Sequence, residues 1–457
     1  MNSKTRIFKF VPTTVSGPFK VRVVADGGSV EAESCLNAQA KVLSDSGILR
    51  ECSLFITPNG YKTSKLYAQT PSNGNGDLTW TRNSGATRVN SAGLIENVLA
   101  NVSRLDYSLG GCPSILLEPQ RTNLALNSGD ALSGGGTGGV VVADQITAPD
   151  GSLADFFKED TSNGEHYAGD RTFSVTAGTT YTWSFYAKLG LTGEVRRVCV
   201  RTGLQGPANV IFDLETGDST VIGGAISFGS SSAGNGWWRC WIVFIATGTG
   251  VAVFRQQLAK GLNTGYTGNG TSGLFFWGAQ LEAAAYPTSY IPTVASTVTR
   301  VADTFSRNNI FTNGLISASG GTWFVEIDNN IPYTRDGLST GLFIDSNISA
   351  FSNGFNIRNT GGVNSRLVLS KWYSTFGGNS IFTTTTDKVK LAITWNGTTA
   401  NVFVNGVKVV TDTAFLPTSN IQHLSCLNFG NVPLYIKQMW LENVPMSDTK
   451  LIASTTL

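Results

Sequence analysis

The sequence predicts an all-β, multidomain protein, and three features predict it. Only 14% of the 457 residues are charged, against roughly 25% in ordinary soluble domains, so the polar surface falls to Ser, Thr, Asn and Gly. The 52 glycines, 10 tryptophans and 25 phenylalanines suit short strands joined by tight turns. No long stretch repeats its apolar residues with the period of a helix. A chain of this length exceeds one ordinary core, so roughly two to four domains are expected.

Residues 1–70 read as a small N-terminal β domain. Segments 7–11, 19–23 and 53–56 are strand-like, and Pro12, Gly17-Pro18, Gly27-Gly28 and Pro58-Asn59-Gly60 punctuate them. Its place at the first residue is that of an attachment domain. Residues 71–77 form a linker by composition. The rest of the segment 71–122 carries Arg82, Arg88, Arg104 and Arg121 among turn residues, with few runs long enough to make a core. Such a segment needs a partner surface, and another copy of the chain is the economical one.

Residues 123–293 read as a jelly-roll sandwich, with a glycine-rich loop over 133–139. Strands are expected at 180–187, 196–202, 209–214, 238–246, 251–258 and 274–281, about eight in all. The stretch 237–254 is the most apolar, but Arg239 and Thr247-Gly248-Thr249-Gly250 interrupt it. It reads as a hairpin of two buried strands and not as a membrane-spanning helix. Residues 294–314 are a linker. Residues 315–457 form a second sandwich, with strands at 322–328, 341–344, 355–358, 366–369, 388–395, 401–404 and 434–441. Asn396-Gly397 and Asn405-Gly406 are hairpin turns, because both residue types tolerate positive φ. Only 447–454 has the character of a helix.

Net charge is +2, with both signs interspersed and no basic stripe, which argues against nucleic acid. Residues 1–10 carry Lys4, Arg6 and Lys9 without an apolar run, so no secretory signal and no membrane insertion are expected. Six cysteines (Cys35, Cys52, Cys112, Cys199, Cys240, Cys426) lie far apart without a CxxC pair. They read as free, mostly buried thiols of a protein assembled in a reducing cytoplasm, Cys35 with Cys52 being the one pair that could bridge.

No catalytic constellation stands out. Gly337-Leu338-Ser339-Thr340-Gly341 matches a nucleophile elbow in letters, but Leu342-Phe343-Ile344 after it is strand-like where a helix is required. Two glycine sets ending at Gly139 and Gly273 also lead into strand-like residues, with no helix to receive a phosphate. There are two histidines, His166 and His423, and His166 reads as a hydrogen-bonded loop residue. Asp213 and Glu215 read as a solvated turn pair. The better clue is aromatic: sugar rings stack on Trp and Tyr while Asn, Asp and Gln take their hydroxyls. Tyr167, Tyr266, Trp372 and Tyr373 sit in or beside loops rich in such partners and are the candidate glycan-binding residues. Of Trp237 and Trp238, at least one must be core.

A resemblance extends this reading. The string from Trp80-Thr81-Arg82-Asn83-Ser84-Gly85 to Gly93-Leu94-Ile95-Glu96, with Pro113-Ser114-Ile115-Leu116-Leu117-Glu118-Pro119-Gln120-Arg121-Thr122-Asn123-Leu124, resembles a collar motif of bacteriophage tail-fibre and head-fibre proteins. Gly236-Trp237-Trp238-Arg239-Cys240 and Trp277-Gly278-Ala279-Gln280-Leu281-Glu282 resemble the family's following domain, with Trp238 where Tyr is usual. Residues 1–70 look like the leader of such proteins from phages of Bacteroidetes hosts. The opening Asn123-Leu124-Ala125-Leu126-Asn127 and the last strand 278–282 are similar to jelly-roll carbohydrate-binding modules. There a calcium ion often bridges these ends, which would make Asn123 and Glu282 its ligands. The runs 389–397 and 402–406 resemble laminin-G and concanavalin-like domains.

The resemblance implies a structural virion appendage, tail fibre or head fibre, with no enzymatic activity. It would attach to other virion proteins through residues 1–70, form a homotrimer through residues 71–125, and present lectin-like sandwiches to host-surface glycans. A tail-borne polysaccharide-degrading enzyme and a purely structural capsid decoration protein are the alternatives.

Overall fold

The computed structural model describes residues 21–25, 28–32, 53–58, 61–62, 65–66, 78–130, 132, 136–203, 208–317, 319–328, 338–345, 354–360, 366–372, 379–384, 388–397, 399–412, 422–428 and 433–456. The chain is an all-β protein built on two sandwiches. Among the described residues the one helix is Asp448–Thr455, where Ser447 caps the first turn by accepting from the Lys450 amide.

The first sandwich is the jelly roll. One sheet orders Gly139–Thr147, Leu153–Glu159, Gly273–Glu282, Thr180–Leu189, Trp237–Ile245 and Ser227–Ser232. The other orders Arg171–Val175, Gly250–Ala259, Arg197–Gly203, Ala208–Phe212 and Ser219–Gly223. Alternation along each strand turns Trp183, Phe185, Phe212, Ile242, Phe244, Phe254 and Phe276 into one core. The expected hairpin over 237–254 is corrected here: Trp237–Ile245 and Gly250–Ala259 belong to opposite sheets. The Thr247–Gly250 turn is an arch over the core, because Ile242 and Phe244 must face Ala252 and Phe254 across it. Trp237 is buried and donates to Thr147 O (3.2 Å), while Trp238 packs at the edge of the same core.

The second sandwich draws on more of the chain than residues 315–457. Its larger sheet orders Val407–Asp412, Thr399–Val404, Lys388–Asn396, Gly320–Asp328, Leu434–Glu442, Ser114–Leu117 and Arg104–Asp106. Leu54–Ile56 also pairs with Leu434–Glu442, on its far half. The facing sheet orders Asn379–Thr384, Arg366–Trp372, Gly354–Thr360, Leu338–Asp345, His423–Asn428, Thr304–Asn308 and Thr79–Thr81. At the Asn405-Gly406 turn both residues have positive φ (+48° and +83°), the mirror-image turn that matches strand twist. Ser339 lies inside the strand Leu338–Asp345, so the elbow pattern is a coincidence of letters.

Residues 78–122 therefore find their partner surface in their own chain, and 304–308 is strand where a linker was expected. Trp80, Leu105, Ile115, Leu117 and Phe305 share one core with Trp323, Val325, Trp395 and Ile436. Trp80 and Phe305 pack ring to ring at 5.4 Å. Each short strand offers only one to three apolar residues, too few for a core alone. Added to the edge of a larger sheet they bury well.

Candidate functional site

Arg82 and Arg104 of the segment 78–123 converge with Arg300 at the boundary between the sandwiches. Arg82 donates to Asp303 Oδ1 (2.7 Å) and to the carbonyls of Ser84, Val102 and Leu99 (3.1, 3.0 and 2.6 Å). Arg104 donates to Glu118 Oε2 (2.7 Å), Ser289 Oγ (2.9 Å) and Thr87 O (3.1 Å), and closes on Asp303. Arg300 donates to Pro119 O (2.6 Å) and pairs with Glu118 (2.9 Å). Arg121–Asn123 and Val298–Arg300 form the ribbon that brings these groups together. None of Arg82, Arg104, Arg300, Glu118 and Asp303 is more than 2% exposed. Burial opposes ionisation of Glu118, but Arg300 and Arg104 beside it hold its carboxyl well below the usual range. The same two carboxylates overcome the burial of Arg104 and raise its pKa.

Beside this knot the jelly roll, the hairpin Ala86–Val89/Ile95–Val98 and the strand Leu434–Glu442 enclose a cavity of about 310 Å³. Its inner wall holds Asp106, Tyr186, Trp241 and Tyr290, all buried, and Tyr435 reaches it from the second sandwich. Ser108, Gly110 and Ser232, all exposed, stand at the rim. Asp106 accepts from the amides of Val89 (2.8 Å) and Ser108 (2.9 Å) and from the Ser108 hydroxyl. Burial nevertheless pushes its pKa up. Arg239 lies over the Tyr186 ring (5.5 Å) and donates to Thr288 O (2.6 Å) and Ser184 Oγ (3.2 Å). Its Nε is buried and has no hydrogen-bond partner.

The residues singled out in the sequence are scattered, and several are already satisfied. Tyr167 is half-buried at the edge of the first sandwich, bridging Thr137 and Gln257, with the Arg255 guanidinium 3.7 Å over its ring. One face of that ring is therefore taken. Tyr266 is not a loop platform: it is 6% exposed, because the strand Gly265–Thr267 turns it inward. It donates its hydroxyl to Glu159 (2.7 Å), and its ring meets His166 and Arg196. Trp372 ends the strand Arg366–Trp372 opposite Gly354, but its side chain and all of Tyr373 lie outside the described residues. Cys35 and Cys52 lie outside them too.

Asn123 and Glu282 do stand near each other at the two ends of the jelly roll, but their oxygens are occupied. Asn123 Oδ1 accepts from the amides of Ala125 (2.9 Å) and Leu281 (3.0 Å), and Nδ2 donates to Ile291 O (2.9 Å) and Ala279 O (3.2 Å). Glu282 accepts from Gln280 Nε2 (2.8 Å), the Thr288 amide (3.0 Å) and the Thr288 hydroxyl. The side-chain amide thus bridges the ends that a calcium ion bridges in the modules it resembles, and this donor set does not fit a cation. His166 is fully buried with both ring nitrogens against carbonyls, Gly138 O (2.5 Å) and Tyr266 O (3.0 Å). Asp213 pairs with Arg197 (2.5 Å) and accepts from the Glu215 amide (2.9 Å), a turn arrangement.

Sequence reasoning missed the cavity. Tyr107, Asp106 and Tyr435 come from segments nearly 330 positions apart, and no motif joins them.

No family model and no curated protein matches the chain. Among solved structures it is similar to the CBM40 module of a Ruminococcus gnavus IT-sialidase bound to α2,3-sialyllactose (15% identity, TM-score 0.24, 30% of this chain and 83% of that one). It is also similar to the NanB sialidase from Streptococcus pneumoniae (16% identity, TM-score 0.25, 32% of this chain). The chain spans only 26% of that sialidase. A third similarity is to the tandem CBM22 domains of Paenibacillus barcinonensis Xyn10C (9% identity, TM-score 0.23, 72% and 99%). Likeness at this level carries no argument about activity. The β-sandwich assignment rests on the sheets of the chain itself.

Proposed function

We propose that this chain is a non-enzymatic virion appendage of a bacteriophage, a tail or head fibre that docks through residues 1–70 and presents its sandwiches to host-surface glycans. The observation that supports this reading most is the buried knot of Arg82, Arg104, Arg300, Glu118 and Asp303. Arg82 and Glu118 of the collar resemblance spend their charge in this knot, which fixes one sandwich to the other. A fibre that holds one end and exposes the other needs such a rigid joint. The carboxylates Asp213 and Glu215 serve a turn.

Two measurements on the full chain test the proposal. Antibody labelling of purified virions should place the protein on an external appendage, and a glycan array should give saturable signal. Absence of the chain from virions removes the appendage reading. A blank array leaves a structural decoration protein in its place.

A further inference from the structure

We propose that the cavity at the junction of the two sandwiches is a binding site for a neutral saccharide of one or two rings. The site is argued from its own geometry; it rests on the adhesion reading only in taking a surface glycan as the source of the sugar.

The enclosed space, about 310 Å³, stands at the lower end of small-molecule pockets, roughly 300–1,000 Å³. Three separate parts of the chain wall it, and the buried ionic knot beside it fixes those parts relative to one another. It is therefore preformed. Its lining combines ring faces with small hydroxyls: Tyr107 and Tyr435 with Ser108, Ser231 and Ser232. That is the complement of a sugar, whose axial C–H groups pack on aromatic rings while its hydroxyls exchange hydrogen bonds.

Most of the charge on the wall is already paired, the Arg239 guanidinium excepted. Arg88 is committed to Glu96 at 2.5 Å, and Glu118 to Arg104 and Arg300. Asp106 already accepts from two amides and a hydroxyl. The buried Nε of Arg239, on the wall, is an unspent donor. A single neutral oxygen, such as a hydroxyl or ring oxygen, satisfies it.

The test uses the full chain, isothermal calorimetry and saturation-transfer NMR. The probes are glucose, galactose, mannose, N-acetylglucosamine and their disaccharides, with sialic acid and glucose 6-phosphate as charged controls. At least one neutral sugar should bind at millimolar strength or better. Ser232→Trp, at the exposed rim, should weaken it at least about ten-fold without lowering the melting temperature. Ser108→Trp, also at the exposed rim, gives the same readout if the first variant folds poorly. Binding that survives both substitutions, or binding of the charged probes alone, overturns the proposal. Glycan-array signal that persists in the two variants overturns this site while leaving the adhesion reading intact. Sugar binding in the cavity beside a blank array and unaffected cell adsorption upholds the site and overturns the adhesion reading.

Discussion

Arg82 donates to Asp303 across 2.7 Å and 221 chain positions, with their side chains 1% and 0% exposed. The pair ties the short edge strand Thr79–Thr81 to the stretch that leads from the jelly roll into Thr304–Asn308. Two buried charges in that position cost desolvation energy, and the pair holds because carbonyls and a second arginine complete it. Removal of one member should therefore do far more harm than the net worth of the pair.

Asp303→Asn leaves Arg82 and Arg104 without their shared carboxylate. The expected loss is about 3–5 kcal/mol of stability, read by equilibrium denaturation in urea. A loss below about 1 kcal/mol would mean that water reaches the knot, and the rigid-joint argument would fall with it.

The acid side of the stability curve should have two parts. Asp155 titrates near 6 in the folded chain, raised by burial and by Asp130. A raised carboxyl favours the folded state as it takes its proton, so stability should climb as pH falls from about 7 to about 4, where the unfolded chain's carboxyl protonates too. Glu118 has its pKa depressed, so its contribution is present above about pH 4.3 and is lost as pH falls below that value. Calorimetric melting temperatures should peak at about pH 4. Asp155→Asn should flatten the rise and leave the acid fall in place.

Much of the fold was legible because alternation survives in isolated strands. The strands of both sandwiches, the Asn405-Gly406 turn and the C-terminal helix follow from local pattern. What local pattern cannot carry is which sheet a short strand joins. Trp80, Leu105 and Ile115 sit among arginines and turn residues, and only the long-range sheet Leu434–Glu442 and the facing strand Thr304–Asn308 supply their core. The arginines misled for the same reason: on sequence they resemble surface, and their carboxylate partners lie up to 221 positions away. For the candidate site, the aromatics in polar loops were a weaker guide than enclosure. Tyr266 proved to be core, and the cavity arises from tertiary contact alone.

The thiols should be inert in the native state. Burial pushes Cys199 up to about 12 and raises Cys240 and Cys426 as well, so little thiolate exists at neutral pH. Cys112 is the half-buried one among the four described free cysteines. Brief iodoacetamide treatment at pH 8, read by peptide mass spectrometry, should label Cys112 far ahead of the other three. Dithiothreitol should leave the melting temperature unchanged; a fall of several degrees would place a disulfide at Cys35 and Cys52.

Assembly is expected to be trimeric, as the collar resemblance implies. Leu78, Trp80, Leu105, Ile115 and Leu117 of the segment are spent within the chain, so contacts between copies must use what stays exposed. Leu99 is 75% exposed and Leu126 40%. Light scattering at micromolar concentration should give three copies, and Leu99→Asp with Leu126→Asp should give one copy with unchanged melting. A monomeric parent protein ends the trimer proposal.

The closure of the jelly roll offers the sharpest contrast between a metal and a side chain. Asn123 is fully buried and uses all of its amide: two backbone amides give to its oxygen, and its nitrogen gives to two carbonyls. These contacts join the opening residues of the domain to its last strand and to Ile291 beyond it. Asn123→Ala strands the amides of Ala125 and Leu281 and two carbonyls in a dry interior. Leaving such groups unpaired costs about 1–3 kcal/mol each, partly relieved by relaxation, so a total loss of about 3 kcal/mol is expected in urea denaturation. Asn123→Asp is the informative companion. It keeps the acceptor and loses the donor, and it would improve a calcium site. If the amide is the bridge, both variants lose stability, calcium restores neither, and a chelator leaves the parent protein's melting temperature where it was. If Asn123→Asp regains stability when calcium is added, or the chelator lowers the parent's melting temperature by several degrees, the closure is metal-assisted and the amide-bridge account is wrong.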